Sequence, residues 1–285
     1  MVDLKALIQS GVQFGHQTWR WNPKMAPYIW GQKNGVHLID VSKTASQLDK
    51  VAKFLETLVA SGKTILWVGT KKSARKAIEQ VARTTKCPVV SHRWIGGTIT
   101  NFPQVKKSVT KLLYLEDVIA KADKGFHTKK ELSVMQKHIE RINKNVGGIR
   151  KLIWPIAALV VVDVKKEHVA VSEARAAGIP VIALVDTNSD PSDVDFVIPT
   201  NDDAPKAVEF ILDYLAQAVV EAQKVAAVAP PKEVAVGQPI TIPEQVSIEE
   251  VLQKALGSDD DEGNASKKAK PTRPAVRRPA RKTTE

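Results

Sequence analysis

The chain has 285 residues, 43% of them hydrophobic, with 42 Lys plus Arg against 31 Asp plus Glu, a formal net charge of +11. This length supports one large or two modest domains with a buried core, while the single Cys87 excludes an internal disulfide framework and fits a reducing compartment. The longest purely apolar run, Ile156 to Val162, is far short of the roughly twenty residues of a membrane span, and Asp3 and Lys5 break the opening where a secretory signal would be apolar, so a soluble cytoplasmic protein without membrane contact is expected.

In chain order, the segment Gly15 to Met25 interleaves Trp19, Arg20, Trp21 and Lys24 with amides, without a helix or strand period. Thr64 to Gly69 predicts a buried strand ending at a glycine turn, followed by a helix over Lys71–Thr84. Pro88–Ser91 is a short second strand, and Ala158–Asp163 a third. A helix over Lys166–Ala177 closes at Gly178. Pro180–Val185 and Asp195–Ile198 give the fourth and fifth strands, and Ala204–Lys224 a long final helix. The strands are nearly continuous in apolar residues, as strands buried on both faces are. Strands alternating with helices predict an α/β fold with a parallel sheet covered by helices on both faces.

Residues 104–149 interrupt that alternation. Leu132, Met135, Ile139, Ile142, Val146 and Ile149 advance by three and four, and Val105, Ser108, Leu112, Leu115, Ile119 and Ala122 carry a similar seam on an earlier helix. Two helices joined around Lys124 to His127 predict a coiled-coil hairpin about 30 Å long at about 1.5 Å per residue. The narrow seam favours a projecting hairpin over two helices lying on the sheet. The expected organisation is a discontinuous α/β domain over 1–103 and 150–226, the hairpin insertion over 104–149, a linker with a short helix over 227–257, and a disordered charged tail over 258–285.

Charge is unevenly spread. Residues 1–103 carry fifteen basic and five acidic side chains, residues 104–151 twelve and five, and residues 152–257 seven and sixteen. The basic first half points to a polyanion, with nucleic acid the favoured partner, and the acidic stretch is expected to face solvent or basic proteins. Lysines solvating helix faces are the alternative for any single position.

Gly69-Thr70-Lys71-Lys72 stands where a strand becomes a helix, the place where α/β proteins hold phosphates. Neither GxxxxGK[ST] nor GxGxxG is present, so Lys71 and Lys72 are read as RNA-phosphate contacts and no cofactor is expected. Asp163, Asp186, Asp190 and Asp193 at strand ends suit either Mg²⁺ or turn chemistry, and the run Asp186 to Pro191 favours the turn. A metal site of His16 with these aspartates would have to be assembled in three dimensions. Arg-aromatic mixtures such as Trp19-Arg20-Trp21 and Arg93-Trp94 can stack on unpaired bases, with packing against the sheet the alternative for each tryptophan.

Gly15-His16-Gln17-Thr18, Trp21 to Met25, Asn34 to Asp40, Val68 to Lys72, Arg93 to Phe102, Gly147-Gly148-Ile149, Glu167-His168, Glu173-Ala174, Gly178 to Val181, Asp186 to Pro191 and Asn201 to Ala204 together resemble the bacterial ribosomal protein S2 family, in its order and over about residues 3–222. The chain departs from that pattern at Asp163-Val164, where the family usually has Asp-Pro. The resemblance implies a Rossmann-like (flavodoxin-like) domain with a protruding coiled-coil hairpin. It also implies a non-enzymatic role on the small subunit, binding its rRNA between head and body, beside neighbouring ribosomal proteins and the large mRNA-binding one. The expected contacts are Trp19, Arg20, Trp21, Lys24, Lys71, Lys72, Arg93 and Trp94, with no catalytic residue or metal. The rival expectations are a nucleotide- or Mg²⁺-dependent enzyme on the same fold, and an RNA-binding regulator outside the ribosome.

Overall fold

The computed structural model describes residues 2–121 and 128–228; the predicted linker, short helix and charged tail beyond Val228 lie outside the described residues. Helix α1 (Leu4–Ser10) is capped by the Asp3 carboxylate and stops at Gly11, whose φ of 84° only a residue without Cβ adopts freely. Strands β1 (Phe14–Gln17), β2 (Ile29–Lys33) and β3 (Val36–Ile39) form an antiparallel sheet in the order β1-β3-β2. Asn34 and Gly35, both at positive φ, make the tight β2–β3 turn. Helix α2 (Val41–Ala60) starts at the Asp40 cap and buries Thr44, Leu48, Val51, Leu55 and Val59, one stripe at helical spacing. None of these first elements was read from the sequence.

The main sheet follows: β4 (Thr64–Val68), α3 (Lys72–Thr85), β5 (Val89–Val90), α4 (Phe102–Lys121), α5 (Lys129–Val146), β6 (Ile156–Val162), α6 (His168–Ala176), β7 (Val181–Val185), β8 (Phe196–Pro199) and α7 (Pro205–Val228). Its five strands are all parallel, in the order β5-β4-β6-β7-β8. The α/β expectation holds, with element ends displaced by a few residues, as end fraying allows.

Strand alternation divides the core in two. Ile65, Trp67, Ala158, Val160, Val162, Ile182, Leu184 and Ile198 meet α2, α3 and α7. Leu66, Val68, Leu159, Val161, Ala183, Val185 and Val197 meet α6, Met25, Trp94 and the first turns of α4. Because both faces are covered, the strands read as continuous apolar runs.

Helices α4 and α5 pack on each other. The seam on α4 runs through Val105, Val109, Leu112 and Leu115, all buried, while Ser108 is exposed. This corrects the predicted position: a step of four then three from Val105 keeps an apolar valine in the seam and a hydroxyl in water. Val105, Val109, Leu112, Val146 and Ile149 belong to the same apolar cluster as the sheet, so the root of this helix pair is part of the core. Arg150, just past α5, grips Glu116 of α4 with two bonds of 3.0 and 2.6 Å and reaches Asn143 of α5 at 2.8 Å.

Gly148 sits at that root, where a Cβ would lie 2.1 Å from the Val89 carbonyl oxygen. A backbone atom cannot swing aside. Gly148→Ala is expected to destabilise the chain by about 3 kcal/mol, measured by urea unfolding; an unchanged midpoint would refute the close approach.

Candidate nucleic-acid interface

The carboxyl edge of the parallel sheet gathers side chains from distant parts of the chain. Asp163 follows β6, Asp186 follows β7, Asp202 and Asp203 follow β8, and Lys71 precedes α3. The Lys71 ammonium lies 2.8 Å from Asp202, 2.6 Å from Asp203 and 3.5 Å from Asp163. Burial works against its charge, but the bonds to Asp202 and Asp203 outweigh that and raise its pKa. His16 enters from β1: Nδ1 is 3.1 Å from Asp186 and Nε2 is 3.2 Å from Asp203. Its pKa is raised, first by the Asp186 bond. Asp202 is fully buried, and burial, with Asp186 and Asp163 nearby, pushes its carboxyl up to about 7. His16 thus meets strand-end aspartates in three dimensions, an arrangement the sequence left open. Among the described residues, however, no group of His, Cys, Asp and Glu is arranged to hold a metal ion; the cation at the centre is Lys71 itself.

Thr187 completes this junction. Its hydroxyl accepts the His16 backbone N–H at 2.8 Å and its carbonyl accepts that of Asn22 at 2.7 Å. Gly15 makes the approach possible, since a Cβ there would lie 2.6 Å from the Thr187 methyl. The segment before α2 is thus clamped on the sheet edge.

The strand-to-helix turn at Gly69-Thr70 holds no open phosphate cradle. The Thr70 N–H and hydroxyl both donate to Glu167, which is buried at the start of α6, and burial raises the Glu167 pKa. The protein's own carboxylates fill the position a nucleotide phosphate takes in other α/β folds.

A second carboxylate, Glu173 on α6, organises the loop from Arg93 to Asn101. It accepts from the Trp94 indole at 3.0 Å, from the backbone N–H groups of Gly97, Ile99 and Thr100 at 2.9, 3.0 and 3.3 Å, and from the Thr100 hydroxyl at 3.4 Å. Burial opposes its charge, but these donors win and lower its pKa. Four carboxylates of the acidic stretch, those of Glu167, Glu173, Asp186 and Asp202, are thus buried. The expectation that this stretch faces solvent or basic proteins is corrected: part of its charge is consumed inside, holding the basic half of the same chain.

The eight residues expected at the interface divide by exposure. Trp19 is 73% exposed, its indole N–H bonded to Gln17, and the Arg20 guanidinium stands 4.6 Å over its ring. Lys72 and Arg93 are exposed. Trp21 is half-exposed and tilts on His37, with centroids 5.1 Å apart. Lys24 is exposed but bonded to Asp190 at 2.7 Å and to Ser192, holding Asp190 down to about 2. Trp94 is buried and Lys71 is enclosed by carboxylates, so both are turned inward.

The family model described as Ribosomal protein S2 matches residues 7–222. The chain belongs to the ribosomal protein S2 family. The small ribosomal subunit protein uS2 of Cytophaga hutchinsonii is 46% identical over 223 residues, which cover 78% of this chain and 87% of that relative. As a member of the S2 family, the chain is a structural, RNA-binding component of the ribosome serving translation, and not an enzyme. Among the described residues no helix is long and apolar enough to cross a membrane.

Within this family member, sequence reasoning singled out Glu167 and Glu173 only as matches to the family and gave them no role, since they lie in an ordinary amphipathic stretch and gain their roles from donors far away in the chain. It also missed Trp30, 76% exposed on β2, and the exposed Ile153 and Trp154. Trp30 had a signal, since Ile29 and Gly31 alternate with it in a half-buried strand pattern.

Two outcomes follow for the buried carboxylates. Glu173→Gln should cost about 2–4 kcal/mol, because several buried donors lose a charged acceptor; guanidinium unfolding measures it, and a loss below about 0.5 kcal/mol would refute the anchoring role. His16 and Asp202 both have raised native pKa values, so each gives stability at acid pH that fades as pH rises: Asp202 from its ordinary carboxyl value up to about 7, His16 above its ordinary imidazole value. The melting temperature should therefore lose ground between about pH 4 and about pH 7 as Asp202 ionises, and Asp202→Asn should flatten that fall; an identical profile in the variant would refute it.

Proposed function

We propose that this chain docks on small-subunit rRNA through the cations and aromatic rings that its internal carboxylates leave outside. Trp19, Arg20, Lys72 and Arg93 are the direct contacts, flanked by Trp21 and Lys24. Lys71 and Trp94 act from within, fixing the two loops that present those contacts. The observation that carries this reading is the inward placement of Glu167, Glu173, Asp186 and Asp202 beside outward Arg20, Lys72 and Arg93, which leaves a positive outer surface for phosphates.

The strand order, counted within the main sheet, is 2-1-3-4-5, the flavodoxin-like form of the doubly wound fold. On this reading residues 1–103 and 150–226 form one domain, and 104–149 form a coiled-coil hairpin whose outer part lengthens the rRNA footprint. The chain works on the cytoplasmic small subunit beside neighbouring ribosomal proteins, including the large mRNA-binding one.

Sucrose-gradient sedimentation of a lysate at moderate and then high salt tests the docking. The chain should travel with small subunits and polysomes and leave them only at high salt; migration as free protein at both would overturn it. For the contacts, Arg20→Ala with Arg93→Ala should lose to wild type in competition for subunits lacking the chain, with a salt slope lower by about two, one per phosphate contact. Equal incorporation would remove these two residues from the interface.

A further inference from the structure

Where α4 begins, an aromatic surface remains that the docking contacts above do not use. The Phe102 ring stacks on Trp154 with centroids 5.8 Å apart and planes 19° from parallel. Trp154 is nonetheless 38% exposed, and its neighbour Ile153 is 51% exposed. A solvent-facing tryptophan held flat by a second ring is a ready stacking surface, since its orientation is already fixed.

The chain on either side of the ring pair is mostly basic. From Gly96 to Leu115 it has three lysines and no acidic residue, and from Arg141 to Val162 four basic residues and no acidic one, of which Arg150 is held by Glu116. Lys106 lies one helical turn beyond Phe102 on the same face of α4, and Lys151, exposed, precedes Ile153 and Trp154. Further along the helix pair, burial first and then Lys111 and Arg141 lower the His138 pKa. An excess of lysines suits an anion better than a basic or apolar protein surface, and an aromatic face beside cations is how unpaired nucleotides are held.

We propose that the Trp154 face, backed by Phe102, receives an unpaired base of a single-stranded rRNA segment whose adjoining phosphates lie on Lys106 and Lys151. This rests on the chain being an rRNA-binding protein and adds a base-stacking subsite at the root of the helix pair, apart from the contacts of the amino-terminal segment. Stacking tolerates any base, so the subsite fixes position rather than sequence.

The experiment rebinds the full-length chain to small subunits stripped of it, with ultraviolet crosslinking mapped by mass spectrometry and competition measured against wild type. Crosslinks from the peptide carrying Trp154 to rRNA, with rebinding weakened about five- to 150-fold by Trp154→Ala and largely kept by Trp154→Phe, would support the subsite. Normal wild-type rebinding with Trp154→Ala indistinguishable from it would overturn the subsite alone. Crosslinks from this peptide only to a ribosomal protein would overturn it as well. Failure of wild type to rebind would instead remove the rRNA-binding reading on which it rests. If Trp154→Ala shows no native melting transition, Lys151→Gln decides: a salt slope lower by about one supports the subsite, and an unchanged slope overturns it.

Discussion

The arrangement depends on one buried ammonium. Lys71 touches carboxylates that follow two different strands of the main sheet, and those strands end at the same edge because the sheet is parallel. Burying charge is expensive, and such a cluster need not make a fold more stable than apolar packing would. What it does is make the groups interdependent. Removing Lys71 leaves the buried Asp202 carboxyl without its cation, whereas Asp203 stays open to water. His16 shares Asp203 with Lys71 and adds Asp186 from β1's side, so the position of the amino-terminal segment is bound to the integrity of the sheet edge.

The same carboxylates also set what the carboxyl edge of this parallel α/β sheet can attract. The edge where other such proteins place phosphates is occupied by Glu167 at the Thr70 turn and by the Lys71 cluster beside it. Amide donors and cations that would otherwise attract a small anion are satisfied internally. Other cations, among them Arg20, Lys72 and Arg93, stay exposed. A spread of exposed cations suits a polymer of phosphates better than a mononucleotide.

The parallel part of the fold was legible because burial on both faces writes itself as unbroken apolar runs, as in Ile156–Val162 and Val181–Val185. The amino-terminal sheet was not, since β1 has four residues, includes Gly15, and is only half-buried. Asn34-Gly35 was the available hairpin signal, and the Asp40 cap before Thr44, Leu48 and Val51 that of α2. For the interface, residue type and position located Trp19, Arg20, Lys72 and Arg93 on the surface but could not separate them from Lys71 and Trp94. Whether a cation faces inward depends on its acid partner, and that of Lys71 at Asp202 is 131 residues away. Adjacent lysines at 71 and 72 look alike in sequence and have opposite surroundings in space.

The bond from His16 to Thr187 spans 171 residues. A chain made from its amino terminus emerges with β1, β2 and β3 long before β7, β8 and the residues that anchor them exist. During synthesis this small sheet, whose strands bury little on their own, lacks its partners just after β7, and Lys71 lacks its carboxylates. Only after Asp203 has left the exit tunnel can the edge close, so completion of the fold is timed by the last strand and not by the first. Until then the nascent protein carries its basic half unneutralised, beside the very polyanion that surrounds its birthplace.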